Sequence, residues 1–215
     1  MTAVLVTGFG RFPGVPFNPT AGLVARLERS RRAACVGLRM TTHVFATRYP
    51  AVDEELPKLI VRERPDAVLL FGVASRAKSI RIELLARNRA SVLFPDAGGA
   101  RPASATIARG LPSWRRGRFP AHRLVAAVRS TGLPACLSRN AGSYLCNYAY
   151  WRALETATQA GGPRIVVLVH IPPVAMKAKP RQERRAPCSL ASMARASEAL
   201  LIAILAALRA PGHKA

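Results

Sequence analysis

Acidic residues are scarce in this 215-residue chain. Eleven aspartates and glutamates face thirty-three lysines and arginines, a formal net charge of +22. Lysine is scarce as well, with five copies, so twenty-eight of the cations are arginines. Such an excess attracts polyanions whatever their sequence. It does not by itself make a nucleic-acid reader, which concentrates charge and interleaves aromatics. Here the basic positions are dispersed, apart from short clusters at Arg31–Arg32, Arg115–Arg118 and Arg181–Arg185. No specific nucleic-acid partner is expected, and a GC-rich genome that favours arginine codons is the plainer explanation of the composition. The four cysteines, Cys35, Cys136, Cys146 and Cys188, form no CxxC pair. That argues against a disulfide framework and a structural zinc site, and no metal or cofactor is expected. The longest apolar run, ALLIAILAAL at 199–208, falls short of the roughly 20 residues a membrane span needs. The opening MTAVLVTGFG has neither a basic n-region nor a long apolar h-region. The expectation is a soluble cytoplasmic protein with no membrane partner.

Half of the residues are hydrophobic, enough for a substantial core, and the length suits one α/β domain over residues 1–215. The apolar runs at 3–7, 67–72 and 164–170 read as strands buried on both faces. Residues 35–47 read as one or two strands, and 80–94 as strand-like material around Glu83. Helices are expected from Asn18-Pro19, with Asn as N-cap and Pro at the first helical position. Further helices are expected over 51–64, 122–130, about 145–160 and 189–209. Pro57 is a mild objection to the second. Residues 95–118 read as a long ordered loop. Strands alternating with helices predict a three-layer α/β/α sandwich around a twisted, mostly parallel sheet. Functional residues of such sheets gather at the carboxyl ends of strands, where Gly8, Phe9, Gly72 and His170 fall.

Three side chains suggest chemistry. Cys146 lies where a loop, SRNAGSY, becomes a helix, and a helix N-terminus favours a thiolate. His170 closes an apolar strand. Glu83 sits just past another strand. A thiol nucleophile, an imidazole base and a carboxylate to orient it form a complete acyl-transfer set. Each alone reads equally as an ordinary structural residue.

The chain also resembles the pyroglutamyl peptidase I (pyrrolidone-carboxylate peptidase) family. VLVTGFGRFPGVPFNPTAGLV at 4–24 is similar to that family's opening, NAGSYLCN at 140–147 to its nucleophile motif, and VLVHIPP at 167–173 to its histidine segment. FGVASRAKSIRIELLARN at 71–88 matches its glutamate segment more loosely. The resemblance implies Cys146 as nucleophile, His170 as general base and acid, and Glu83 as the group that orients His170. It also implies Phe9, Phe12 and Tyr144 as the walls of a pocket for a flat pyroglutamyl ring, N-terminally pyroglutamylated peptides as substrates, and room for a homo-oligomer. Departures are visible. Val73 stands where the family has Gln, Leu84 replaces an Arg after the glutamate, and Leu93 replaces an Arg associated with the oxyanion. Arg87 and Arg89 are the nearby arginines that could stand in. The alternatives are a divergent cysteine hydrolase of another small amide or acyl group, or a weakly active basic binding protein.

Overall fold

Apolar residues at nearly every position of the inner strands serve two cores at once. The computed structural model describes residues 1–12, 17–30, 37–174 and 188–210. Cys35, the clusters Arg31–Arg32 and Arg181–Arg185, and most of the Pro- and Lys/Arg-rich stretch after His170 lie outside the described residues. The elements along the chain are β1 (Thr2–Phe9), α1 (Pro19–Glu28), β2 (Leu38–Phe45), α2 (Tyr49–Glu63), β3 (Ala67–Val73), β4 (Ile80–Glu83), β5 (Leu85–Arg87), β6 (Trp114–Arg116), α3 (Ala121–Arg129), β7 (Ala135–Ser138), α4 (Leu145–Thr156), β8 (Ile165–Ile171) and α5 (Leu190–Arg209). Successive strand side chains point to opposite faces. Val4, Val6, Leu69, Phe71, Val167 and Val169 therefore meet α1, α3 and α5 on one side. Leu5, Val68, Leu70, Val166 and Leu168 meet α2 and α4 on the other. The result is the expected α/β/α sandwich.

Six strands form the sheet in the order β2-β1-β3-β8-β4-β7. β4 pairs antiparallel with β8, and every other neighbouring pair is parallel. This reversal brings the start of β4 to the edge where β1, β3 and β8 end. Arg81 stands opposite His170, and Glu83 lies deeper, opposite Leu168.

Local chemistry explains most boundaries. Asn18 caps α1 by accepting from the Thr20 N–H at 3.1 Å, with Pro19 following it. α2 runs through Pro57, whose side is exposed, while Val52, Leu56, Leu59 and Ile60 are buried. α5 begins with a reciprocal Ser189–Ser192 capping box. It is long and apolar enough to match a membrane span, which the apolar run alone did not suggest. Its residues Met193, Leu200, Leu201, Ile204 and Leu208 instead pack into the core beneath the sheet.

Among the described residues of the 35–47 stretch there is one strand, β2, within the expected one or two. Two expectations need correction. The helix expected to reach about residue 160 ends at Thr156. The hydroxyls of Thr156 and Thr158 there donate to the carbonyls of Ala153 and Glu155 at 2.8 and 2.7 Å, competing with helix continuation. The segment 95–118 is not all loop, since Trp114–Arg116 pair antiparallel with Leu85–Arg87 as a small ribbon. A three-residue strand reading Trp-Arg-Arg within Pro- and Gly-rich sequence carries no alternation to detect.

Candidate active site

The site assembles where three strand tips meet the start of α4. Cys146 is the second residue of that helix, and among the described residues no side chain caps its N-terminus. The Tyr148 N–H is the first to be claimed within the helix, by the Tyr144 carbonyl at 3.0 Å. The N–H groups of the first turn therefore remain available to an incoming anion. The approach to the helix turns at Gly142, whose φ of +80° suits glycine.

His170 and Glu83, 87 residues apart in sequence, meet in the interior. His170 Nδ1 lies 2.8 Å from Glu83 Oε1, and both side chains are buried. The second carboxylate oxygen of Glu83 is buried without a hydrogen-bond partner among the described residues. Tyr150, itself buried, donates its hydroxyl to the Glu83 carbonyl at 3.0 Å and fixes the strand end. On its other side the imidazole shares the space over Gly72 with the Cys146 thiol. Burial opposes protonation of His170. The hydrogen bonds to Cys146 and Glu83, with their charges, outweigh it and raise the imidazole pKa to about 9. The imidazole thus keeps its proton through neutral pH.

Gly72 makes room for this contact. It stands opposite His170 across the β3–β8 pairing. A methyl group there would sit 2.7 Å from Cys146 Sγ and 2.9 Å from His170 Cδ2.

A cavity of about 320 Å³ opens over the thiol and imidazole, walled in part by Phe9, Phe12 and Tyr144. Phe12 and Tyr144 face each other with centroids 6.0 Å apart. The Tyr144 hydroxyl is tethered to the Pro95 carbonyl at 2.9 Å. Phe9 is buried and also packs on Phe45, at 5.9 Å. Its backbone is pinned by Thr20, whose hydroxyl accepts from the Phe9 N–H at 3.0 Å. All six side chains expected at the site are therefore neighbours of one cavity or of its imidazole. Val73 also lines it. Leu93 does not; it is 76% exposed. Arg87 and Arg89 are exposed and do not line the cavity either. The arginine that does is Arg81.

Residue-by-residue reading missed four contributors. Asn147 is fully buried in the first turn of α4. Its side chain accepts from the Arg87 N–H at 2.8 Å and donates to the carbonyls of Arg87 and Arg89 at 2.8 and 2.9 Å, fastening the helix start to the ribbon. Its position directly after the cysteine was the available signal. Thr20, Tyr150 and Arg81 act through contacts between distant segments, which sequence spacing does not encode.

Chemically, a protonated imidazole against a thiol favours the ion pair, and a thiolate beside unclaimed N–H groups can attack a carbonyl carbon. The arrangement is that of a thiol-dependent hydrolase acting on acyl compounds. A family profile described as "Pyroglutamyl peptidase" matches residues 2–210, and the chain belongs to that family. It is 34% identical over 169 residues to the pyrrolidone-carboxylate peptidase of Thermococcus kodakarensis, covering 79% of this chain and 80% of that protein. Among solved structures, the pyrrolidone carboxyl peptidase of Thermococcus litoralis superposes with a TM-score of 0.85 at 24% identity, covering 96% of this chain and 94% of the other. A mutant pyrrolidone carboxyl peptidase of Pyrococcus furiosus superposes with 0.84 at 25% identity, covering 96% and 100%.

Proposed function

We propose that the protein is a cysteine exopeptidase that hydrolyses the amide bond after an N-terminal pyroglutamyl residue, using Cys146, His170 and Glu83. The observation that carries this reading is the buried 2.8 Å contact between His170 Nδ1 and Glu83 Oε1, with the Cys146 thiol beside the same imidazole over Gly72. The Cys146 thiolate attacks the pyroglutamyl carbonyl carbon. The oxyanion forms against the free N–H groups at the start of α4, where fixed donors stabilise developing charge. The His170 imidazolium protonates the departing amine, leaving a thioester. The now neutral imidazole takes a proton from water, which attacks the thioester and frees pyroglutamate and the thiol. Glu83 is a positioning residue that holds the imidazole ring and its tautomer.

The flat, neutral lactam suits a cavity walled by Phe9, Phe12 and Tyr144, because aromatic walls bury a planar ring without demanding a countercharge. Cytoplasmic peptides blocked at their N-terminus are the substrates in this reading, and nothing in the chemistry calls for a metal or organic cofactor. The test pairs a fluorogenic pyroglutamyl amide with the matching prolyl amide, whose ring lacks the carbonyl. Release from the first alone, abolished in Cys146→Ala and nearly so in Cys146→Ser, is the expected result. Release from neither, or full activity after iodoacetamide has modified Cys146, refutes it.

A further inference from the structure

The cavity has two chemically unlike ends. Along the strand tips the order is β1, β3, β8, β4. The lining side chains follow that order: Phe9 on β1, Val73 on β3, His170 on β8 and Arg81 on β4. Three interstrand steps make about 14 Å from the first to the last, at roughly 4.8 Å each. The β1 end is aromatic, and the β4 end carries a cation.

Arg81 stands directly opposite His170 in an antiparallel pair. Opposed residues of such a pair project from the same face, so the arginine rises beside the imidazole on the cavity side. Glu83 shares that face two residues deeper and is buried against Nδ1. Ile80 and Ile82 alternate into the opposite core. Arg81 is half-buried, and among the described residues no carboxylate or other acceptor engages its guanidinium. A neutral lactam held at the aromatic end has no use for a cation on the far side of the nucleophile. The leaving part of the substrate does lie there. With the ring over β1 and the attacked carbonyl between Cys146 and His170, the residue after the scissile amide falls over β4.

Building on the function proposed above, we infer that Arg81 forms a subsite for a carboxylate on the first residue of the leaving group. That carboxylate is either the α-carboxylate of a pyroglutamyl dipeptide or the side chain of Asp or Glu at that place. A guanidinium can engage either through two parallel N–H donors. The strand reversal at β4 is what delivers this arginine. A strand parallel to β8 would have brought its last residues to this edge, and the reversed β4 instead presents an early one.

The experiment compares kcat/KM for pyroglutamyl-alanine, pyroglutamyl-alaninamide and pyroglutamyl-aspartic acid α-amide, whose side-chain carboxylate is free. The parent enzyme is expected to favour the first over the second by about tenfold, as a charge-assisted hydrogen bond supports. That preference should shrink at high salt. Arg81→Gln should bring the ratio close to one, mainly through KM, while Arg81→Lys keeps part of it. Parallel behaviour of the aspartyl substrate extends the subsite to side chains; its equality with the alaninamide confines it to the α-carboxylate. An unchanged acid-to-amide ratio in Arg81→Gln overturns the inference. If the parent enzyme cleaves none of the three, the pyroglutamyl reading fails instead. Calorimetric binding of the same compounds to Cys146→Ala, with and without Arg81→Gln, then still decides the subsite. An Arg81-dependent preference for the acid supports it, and equal binding overturns it.

Discussion

Replacing Gly72 with alanine tests whether the thiol–imidazole contact depends on the space that glycine leaves. The added methyl would lie 2.7 Å from Cys146 Sγ, 2.9 Å from His170 Cδ2 and 3.1 Å from His170 Nε2. Comfortable contacts between such atoms start near 3.5–4.0 Å, so one or both side chains must retreat by about 1 Å. A displacement of that size between reacting groups can cost about 100-fold in rate. The backbone at Gly72 is an ordinary strand conformation, and alanine lowers unfolded-chain entropy by about 0.4–1 kcal/mol in its favour. Overpacking costs about 1–3 kcal/mol, so the net loss of stability should be about 1–2 kcal/mol. For a chain of this length that lowers Tm by only a few degrees. Gly72→Ala should therefore fold, melt slightly early and lose about two orders of magnitude in kcat/KM on the fluorogenic pyroglutamyl amide. Iodoacetamide labelling of Cys146 should slow in step, because the thiol has lost its imidazole partner. Parent-like turnover with an unchanged melting temperature would refute the steric argument.

His170→Ala should cost more rate than Glu83→Gln, since a base that has lost its orienting carboxylate can still act; a Glu83 variant with parent kinetics would remove it from the mechanism. The raised His170 pKa has a definite sign. Its stabilising contribution is fully present below the ordinary imidazole value of about 6.5 and is lost as pH rises through about 9. Both kcat/KM and thermal stability should therefore decline on the alkaline side of that window, and a rate still rising above pH 10 contradicts the ion pair. Leu93→Arg should leave kcat within twofold of the parent, because Leu93 is exposed and does not line the cavity; a clear increase would mean the loop closes over the site. Binding to single-stranded nucleic acid should be weak, independent of sequence and steeply dependent on salt, measurable by fluorescence anisotropy, and tight selection of one sequence at physiological salt would contradict the enzyme reading.

Much of the fold could be read from periodicity because β1, β3 and β8 are apolar without interruption and the helices carry clear stripes such as Leu23-Val24-Leu27. Cys146, His170 and Glu83 were nominated by local position, at a helix start and near strand ends. Their meeting was beyond sequence reasoning, since it depends on the reversed direction of β4. That reversal places Glu83 beneath the imidazole and Arg81 beside it, and four residues of alternating Ile and charge say nothing about direction. The expectation that Arg87 or Arg89 would replace a missing cation assumed that nearness in sequence means nearness in space. Both are exposed and off the cavity: Arg87 pairs with Trp114 on the ribbon strand opposite, and Asn147 holds the backbone of Arg87 and Arg89 in place.

The bare N-terminus of α4 sets a limit on engineering. A serine or aspartate at position 144 would cap the helix and, by ordinary expectation, add about 1 kcal/mol of stability. In the proposed mechanism it would also occupy the donors that receive the oxyanion, and an aspartate would set a permanent negative charge where a transient one has to form. Directed evolution for heat resistance, run without a screen for turnover, is thus expected to drift toward a sturdier and inert protein through this one position. Natural selection for activity would hold the helix in its less stable form, with Tyr144 contributing a ring wall and a tether to Pro95 but no cap.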